Sequence, residues 1–320
     1  MFLHFFLLFA GMMLIWAGAE LLVRYSSKLA RVLGVSPIII GLSVVSMGTS
    51  MPEFVVSTVA VIKGNTGISI GNIVGSNIAN MGLILGLGAV LYPMEVKLSW
   101  IKKEVPFMIA VTVLFILLSY ISLSLNRFDG VILLLLMFTF VVYLGKYSIR
   151  EMAFTKEINL DLNGITTGNH PTLKIKTFYF IFSVLGAIVL IVGSEISVRY
   201  GTKIASAFGV SELVIGLTLI AVGTSLPELA TTIVAAIKKE TDIIIGNVIG
   251  SNIFNILLIG GIAPIICPIP IVEEMFTIQY PILLLLSILV FPLMRVRLNL
   301  QRIEGTILLL IYILFIYFTI

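Results

Sequence analysis

Gly41–Asn80, GLSVVSMGTSMPEFVVSTVAVIKGNTGISIGNIVGSNIAN, recurs without a gap as Gly216–Asn255, GLTLIAVGTSLPELATTIVAAIKKETDIIIGNVIGSNIFN, at an offset of 175 residues. The same offset aligns GAELLVRYSSKLARVLGVS from Gly18 with GSEISVRYGTKIASAFGVS from Gly193. A chain that repeats itself at one fixed spacing is built from two copies of one structural unit. Each copy carries a glutamate, Glu53 or Glu228, in the middle of an apolar run.

Outside these stretches the chain is as apolar as inside them. Of its 320 residues 59% are hydrophobic and 11% charged, with a mean hydropathy of +1.16; soluble domains carry about 25% charged residues. Ten apolar runs are long enough to cross a hydrocarbon core about 30 Å thick. They lie near 2–23, 37–62, 67–92, 104–124, 128–145, 177–198, 212–237, 243–266, 276–294 and 303–320. The polar segment 146–176, containing His170-Pro171, reads as a cytoplasmic linker between a first five-helix repeat, 1–145, and a second, 177–320. Five is odd, so the second copy enters the membrane from the opposite side. The expected fold is an all-α membrane protein of ten transmembrane helices in two inverted repeats, with motifs 41–80 and 216–255. Two membrane-spanning copies do not make a solenoid.

Basic residues set the expected orientation. With the N-terminus outside, 16 of the 20 Lys and Arg residues fall in cytoplasmic loops, leaving Lys63, Arg127, Arg199 and Lys203 elsewhere. Both termini are therefore expected outside, in a multi-pass membrane protein. The net charge of +4 is a topology signal, with no nucleic-acid partner implied. The first run lacks a basic n-region and its continuation recurs, so it reads as a helix rather than a cleaved signal.

Gly-Thr-Ser-x-Pro-Glu, at Gly48–Glu53 and Gly223–Glu228, combines parts with separate physical jobs. Proline interrupts a helix and frees backbone oxygens, expected near Ser46 and Ala221. Hydroxyls of Thr49, Ser50, Thr224 and Ser225 and the two carboxylates add hard oxygen ligands. A carboxylate at bilayer depth costs about 2.5–3.5 kcal/mol on the insertion scale. No Lys or Arg lies at that depth, so bound cations or protons must balance it. The following run carries Asn72, Ser76 and Asn80, matched by Asn247, Ser251 and Asn255, four apart and so on one face. Asn77 and Asn252 read as interhelical hydrogen bonds rather than ligands. Glu20 and Glu195 are expected to pair with Arg24 and Arg199 one turn on.

The paired stretches GTSMPE with GNIVGSNIAN and GTSLPE with GNVIGSNIFN resemble the two alpha repeats of the calcium/cation antiporter superfamily, in its prokaryotic Na⁺/Ca²⁺ exchanger branch. The resemblance covers essentially the whole chain. It implies that Glu53 and Glu228 bind Ca²⁺ and share Na⁺ sites, aided by backbone oxygens of Thr49 and Thr224. It also implies Na⁺ ligation by Ser50, Ser76, Ser225 and Ser251, with carbonyls of Ser46 and Ala221. Asn80 matches the family's central position, but its second-repeat counterpart, acidic in an archaeal member and in potassium-dependent relatives, is Asn255 here. That change argues against K⁺ coupling. The implied activity is antiport of Na⁺ and Ca²⁺ by alternating access, without a cofactor and as a monomer; H⁺- or K⁺-coupled exchange is the alternative.

Other classes fit less well. A membrane metalloprotease wants His-Glu-x-x-His, whereas this chain has only His4 and His170, so no enzyme is expected. A passive cation channel would draw its acidic ring from symmetric subunits rather than from an inverted repeat.

Overall fold

The computed structural model describes residues 1–163, 172–208, 221–296 and 298–319. Among these residues the secondary structure is helical apart from four two-residue strands. In chain order the first half contains α1 (Phe2–Leu33), a bent pair α2 (Pro37–Thr49) and α3 (Met51–Ile62), α4 (Thr66–Leu91), α5 (Leu98–Ser122) and α6 (Arg127–Asn163). The second half contains α7 (Leu173–Ala207), α8 (Ala221–Thr224), α9 (Leu226–Ile237), α10 (Thr241–Ile266), α11 (Met275–Arg295) and α12 (Arg302–Thr319). Among the described residues eight helices are long and apolar enough to cross a membrane, or nine with α2 and α3 counted as one span. The chain is thus a multi-pass integral membrane protein. Part of the run expected at 212–237 lies outside the described residues.

Burial separates an inner layer from an outer one. α10 and α4 are 94% and 78% buried, against 17–33% for the other six spans. These two helices carry the Gly-Asn-x-x-Gly-Ser-Asn stretches, so the repeated sequence forms the centre of the bundle. The outer pair α1 and α7 approach through glycines; a Cβ on Gly18 would fall 2.4 Å from the Leu190 backbone nitrogen and one on Gly186 2.5 Å from that of Leu22.

The offset of 175 recurs in the backbone. β1 (Met94–Glu95) pairs antiparallel with β4 (Asn299–Leu300), and β2 (Ser124–Leu125) with β3 (Ile269–Pro270). The offset maps β1 onto β3 and β2 onto β4, so the operation relating the halves exchanges the two ribbons. It also pairs left-handed residues: Leu123 at φ 47° with Leu298 at φ 50°, and Gly64 at φ 80° with Lys239 at φ 60°. Glycine takes that conformation freely, whereas a lysine there is strained by about 1–2 kcal/mol. Lys239→Gly is expected to raise the melting temperature of the purified protein by roughly 2 °C; an unchanged or lower temperature would mean that this turn stores no strain.

The loops that the basic-residue count assigns to one side lie together. Arg31 pairs with Glu240 at 2.9 Å, Lys97 with Asp242 at 3.2 Å and Lys238 with Glu20 at 2.6 Å. Glu20 therefore bonds across to the turn between α9 and α10 instead of to Arg24. Lys238 gives it a partner from a packed neighbour. Glu195 and Arg199 form no ion pair among the described residues.

The polar segment 146–176 is not a loop at its start. α6 continues to Asn163 and α7 begins at Leu173. Lys146, Arg150, Glu151 and Lys156 end the membrane crossing, but Lys, Arg and Glu are good helix formers and leave the backbone ladder unbroken. Residues 164–171 of that segment, and 216–220 of the second motif, lie outside the described residues.

Candidate cation centre

Helix α2 stops at Thr49 and α3 begins at Met51 with a bend of 44°. The hinge is Ser50, with φ −84° and ψ 7°; Ser225, between α8 and α9, has nearly the same angles, φ −90° and ψ 5°. Pro52 and Pro227 sit in the first turn of the following helix, where a missing N–H is no loss. Glu53 and Glu228 occupy that same first turn, next to backbone amides whose partial positive charge favours a carboxylate.

Ser-x-Pro-Glu has the spacing of a capping box, in which serine and glutamate satisfy the helix start reciprocally. Neither serine caps its own helix. Ser50 Oγ instead donates to Glu228 Oε1 at 3.0 Å, and Ser225 Oγ donates to Glu53 Oε1 at 3.3 Å. Each repeat's serine thus holds the other repeat's acid. The threonines follow the same rule: Thr49 Oγ1 donates to Asn247 Oδ1 at 3.0 Å and Thr224 Oγ1 to Asn72 Oδ1 at 3.4 Å. Glu53 is 1% exposed and Glu228 fully buried, and the two carboxylates are close enough to repel one another.

One layer along, four asparagines interlock. Asn80 Nδ2 donates to Asn252 Oδ1 at 3.3 Å, and Asn255 Nδ2 to Asn77 Oδ1 at 3.1 Å. With both amide nitrogens engaged, the oxygens Asn80 Oδ1 and Asn255 Oδ1 are left buried and without a donor, as are Glu53 Oε2 and Glu228 Oε2. Glu53 and Glu228, and likewise Asn80 and Asn255, correspond to one another across the offset of 175. A buried acceptor without a donor costs about 1–3 kcal/mol, and more when charged. A π-helical turn starts at each central asparagine, spanning Asn80–Leu85 and Asn255–Ile259, a distortion frequent at functional sites.

The residues singled out from the sequence lie around this centre with some changes of role. Ser76 is buried on α4, and Ser251 is buried beside Glu228. The Ser46 carbonyl is not freed by proline: it accepts from the Ser50 amide at 3.0 Å. A proline removes the bond to the carbonyl four residues back, which for Pro52 is Gly48. Ala221 opens the short helix α8 at the edge of the described residues. Asn72 braces α4 against α3, donating to the Glu53 carbonyl at 3.1 Å and to Ser57 at 2.9 Å. Asn77 and Asn252 do make interhelical hydrogen bonds, but with the central asparagines themselves. The signal for this was the i, i+3 spacing from Asn77 to Asn80 and from Asn252 to Asn255, which places each pair on neighbouring positions of one face.

Two carboxylates, two amide oxygens and several hydroxyls are hard oxygen donors, the kind that Ca²⁺ and Na⁺ prefer. Buried acids at the centre of a multi-pass helical bundle are typical of ion-translocating membrane proteins. The chain matches the family "Sodium/calcium exchanger protein" over residues 3–146 and 178–320, and it belongs to that family. It is 38% identical over 274 residues to the putative antiporter CaxA of Alkalimonas amylolytica, covering 82% of either chain. It is 32% identical to the sodium/calcium exchanger MaX1 of Methanosarcina acetivorans, over 83% of this chain and 84% of that one. Among solved structures it superposes on the sodium-calcium exchanger NCX_Mj with a TM-score of 0.83 at 31% identity, over 100% of this chain and 99% of that chain. The family is one of exchangers and not of enzymes.

Proposed function

We propose that this protein is a secondary antiporter that exchanges Na⁺ for Ca²⁺ by alternating access at a single site near the bilayer midplane. The observation that carries the reading is the set of four unpaired buried acceptors, Glu53 Oε2, Glu228 Oε2, Asn80 Oδ1 and Asn255 Oδ1. Two ionised carboxylates balance one Ca²⁺ or two Na⁺, so the two ions compete for the same oxygens. If reorientation requires those charges to be neutralised, one gradient drives the other. Thr49, Thr224, Ser50, Ser225, Ser76 and Ser251 complete the shell. We further propose ten transmembrane helices in two inverted five-helix repeats, 1–145 and 177–320. The exchanged ribbons and the matched left-handed turns support this arrangement. The protein works as a monomer in a prokaryotic inner membrane, with both termini outside, and needs Ca²⁺ and Na⁺ as cargo but no cofactor.

The test is competition at equilibrium. Radioactive Ca²⁺ bound to purified protein is expected to be released by Na⁺ and not by equal concentrations of K⁺. Asn255→Asp adds a ligand charge and removes the donor to Asn77, so the Na⁺ concentration at half-release is expected to move. Release that ignores Na⁺ would overturn Na⁺ coupling, and an unmoved midpoint would take Asn255 out of the site.

A further inference from the structure

Among the described residues every ion pair joins one repeat to the other, and the offset of 175 separates one of them from the rest. Arg31–Glu240 maps onto Ser206 and Asn65, and Lys97–Asp242 onto Val272 and Gly67, so neither has a charged twin. Glu20–Lys238 maps onto Glu195 and Lys63, which keep both charges. The two lysines are presented alike: Lys63 follows α3 with φ −83° and ψ 1°, and Lys238 follows α9 with φ −83° and ψ −2°. Yet Lys238 Nζ donates to Glu20 Oε1 at 2.6 Å, whereas Lys63 and Glu195 are both exposed and form no ion pair among the described residues.

The difference lies in the packing around them. α1, which carries Glu20, rests against α9, while its counterpart α7 makes no comparable contact with α3. Side chains record the same asymmetry: Val234 on α9 is 1% exposed, and the matched Val59 on α3 is 40% exposed. The halves therefore share a sequence and a local backbone but not a docking arrangement. In an inverted repeat that rocks about a fixed central site, the second access state arises when the halves exchange arrangements. That exchange undocks α1 from α9 and docks α7 on α3, parting Glu20 from Lys238 and bringing Glu195 to Lys63.

We propose that Glu20–Lys238 and Glu195–Lys63 are alternating latches, each holding one face of the protein closed while the other pair is parted. The inference rests on the alternating access put forward above. A contact shifts a two-state equilibrium only by what it adds to one state and not to the other, and each latch is made in one state alone. Both side chains of the formed pair are partly exposed. Such pairs favour a state by no more than about fivefold, which suits a contact that must open in every cycle.

Cys267 is the only cysteine in the chain, so cross-linking of full-length protein in a Cys267→Ser background reads both faces. In vesicles, Glu20→Cys with Lys238→Cys and, separately, Lys63→Cys with Glu195→Cys are each expected to be joined by a bifunctional maleimide as long as a Lys–Glu pair. With all four substitutions together, a molecule is expected to carry one bridge or the other but not both. Lys238→Ala parts the formed latch and is expected to raise the initial rate of bridging at positions 63 and 195 by up to about fivefold. Glu20→Lys with Lys238→Glu rebuilds the pair in reverse and is expected to return that rate to its original value, which a merely structural role would not do. Absence of a bridge at 63 and 195, both bridges in one molecule, or a rate that Lys238→Ala leaves unchanged would overturn the proposal. Na⁺-driven Ca²⁺ uptake by the same vesicles would then show that exchange stands without latches. Conversely, uptake that ignores Na⁺ while the two bridges still exclude one another would sink Na⁺ coupling and leave the latches in place.

Discussion

Liposomes carrying Glu53→Gln or Glu228→Gln protein are expected to take up Ca²⁺ at less than about one hundredth of the unaltered rate, because each change removes one of the two ligand charges that set divalent affinity. Glutamine keeps the shape of the side chain and its carbonyl oxygen. The hydrogen bonds from Ser225 to residue 53 and from Ser50 to residue 228 can therefore persist. The fold is expected to survive, since neutralising a buried acid eases the burial of charge. Size-exclusion profiles like those of the unaltered protein, with transport lost, would place both charges in the transport step. Near-normal uptake in either variant would remove that carboxylate from the site.

Gly250→Val is expected to abolish both folded yield and transport. α10 rests on α2 at Gly246 and Gly250, where a Cβ would fall 2.6 Å from the Ile38 carbonyl oxygen and 2.5 Å from Ser46 Oγ, respectively. At Gly250 the further obstacles are Ser46 Cβ at 2.7 Å and the Leu42 Cα at 2.9 Å, the latter a backbone atom that cannot turn aside like a side-chain end. Overpacking typically costs about 1–3 kcal/mol, and displacement of α10 would also carry Ser251 and Asn255 out of register. Gly67→Ala, at an exposed position with open space around the would-be Cβ, is expected to be neutral. A normally folded, active Gly250→Val protein would show that close approach at this position is dispensable.

The repeat was legible because duplication leaves a fixed offset in the letters, and each copy needs the same hinge, acid and small-residue face. Glu53 and Glu228 stood out because a charge in an apolar run has few uses. What could not be read was which neighbour each polar side chain would choose. The Ser-x-Pro-Glu spacing suggests local capping, but at the hinge the serines meet the opposite acid first, and burial rewards that bond. Glu20 likewise has an arginine one turn away and still bonds to Lys238, since tertiary packing supplies the nearer cation. At Lys146 the apolar pattern ends but the helix runs on to Asn163, because composition ends a membrane span without ending a helix. The π-helical turns at Asn80 and Asn255 had no signature in a single sequence, as they depend on the packing of the helices around them.

The central claim is that Na⁺ and Ca²⁺ share one cage and that one gradient therefore drives the other. Purified protein reconstituted in Na⁺-loaded liposomes, diluted into Na⁺-free medium containing Ca²⁺, gives the most direct reading. Ca²⁺ is expected to accumulate inside, with uptake falling to background when Na⁺ is equal on both sides or replaced by K⁺. Ca²⁺ entry at the same rate with and without the Na⁺ gradient would contradict the account.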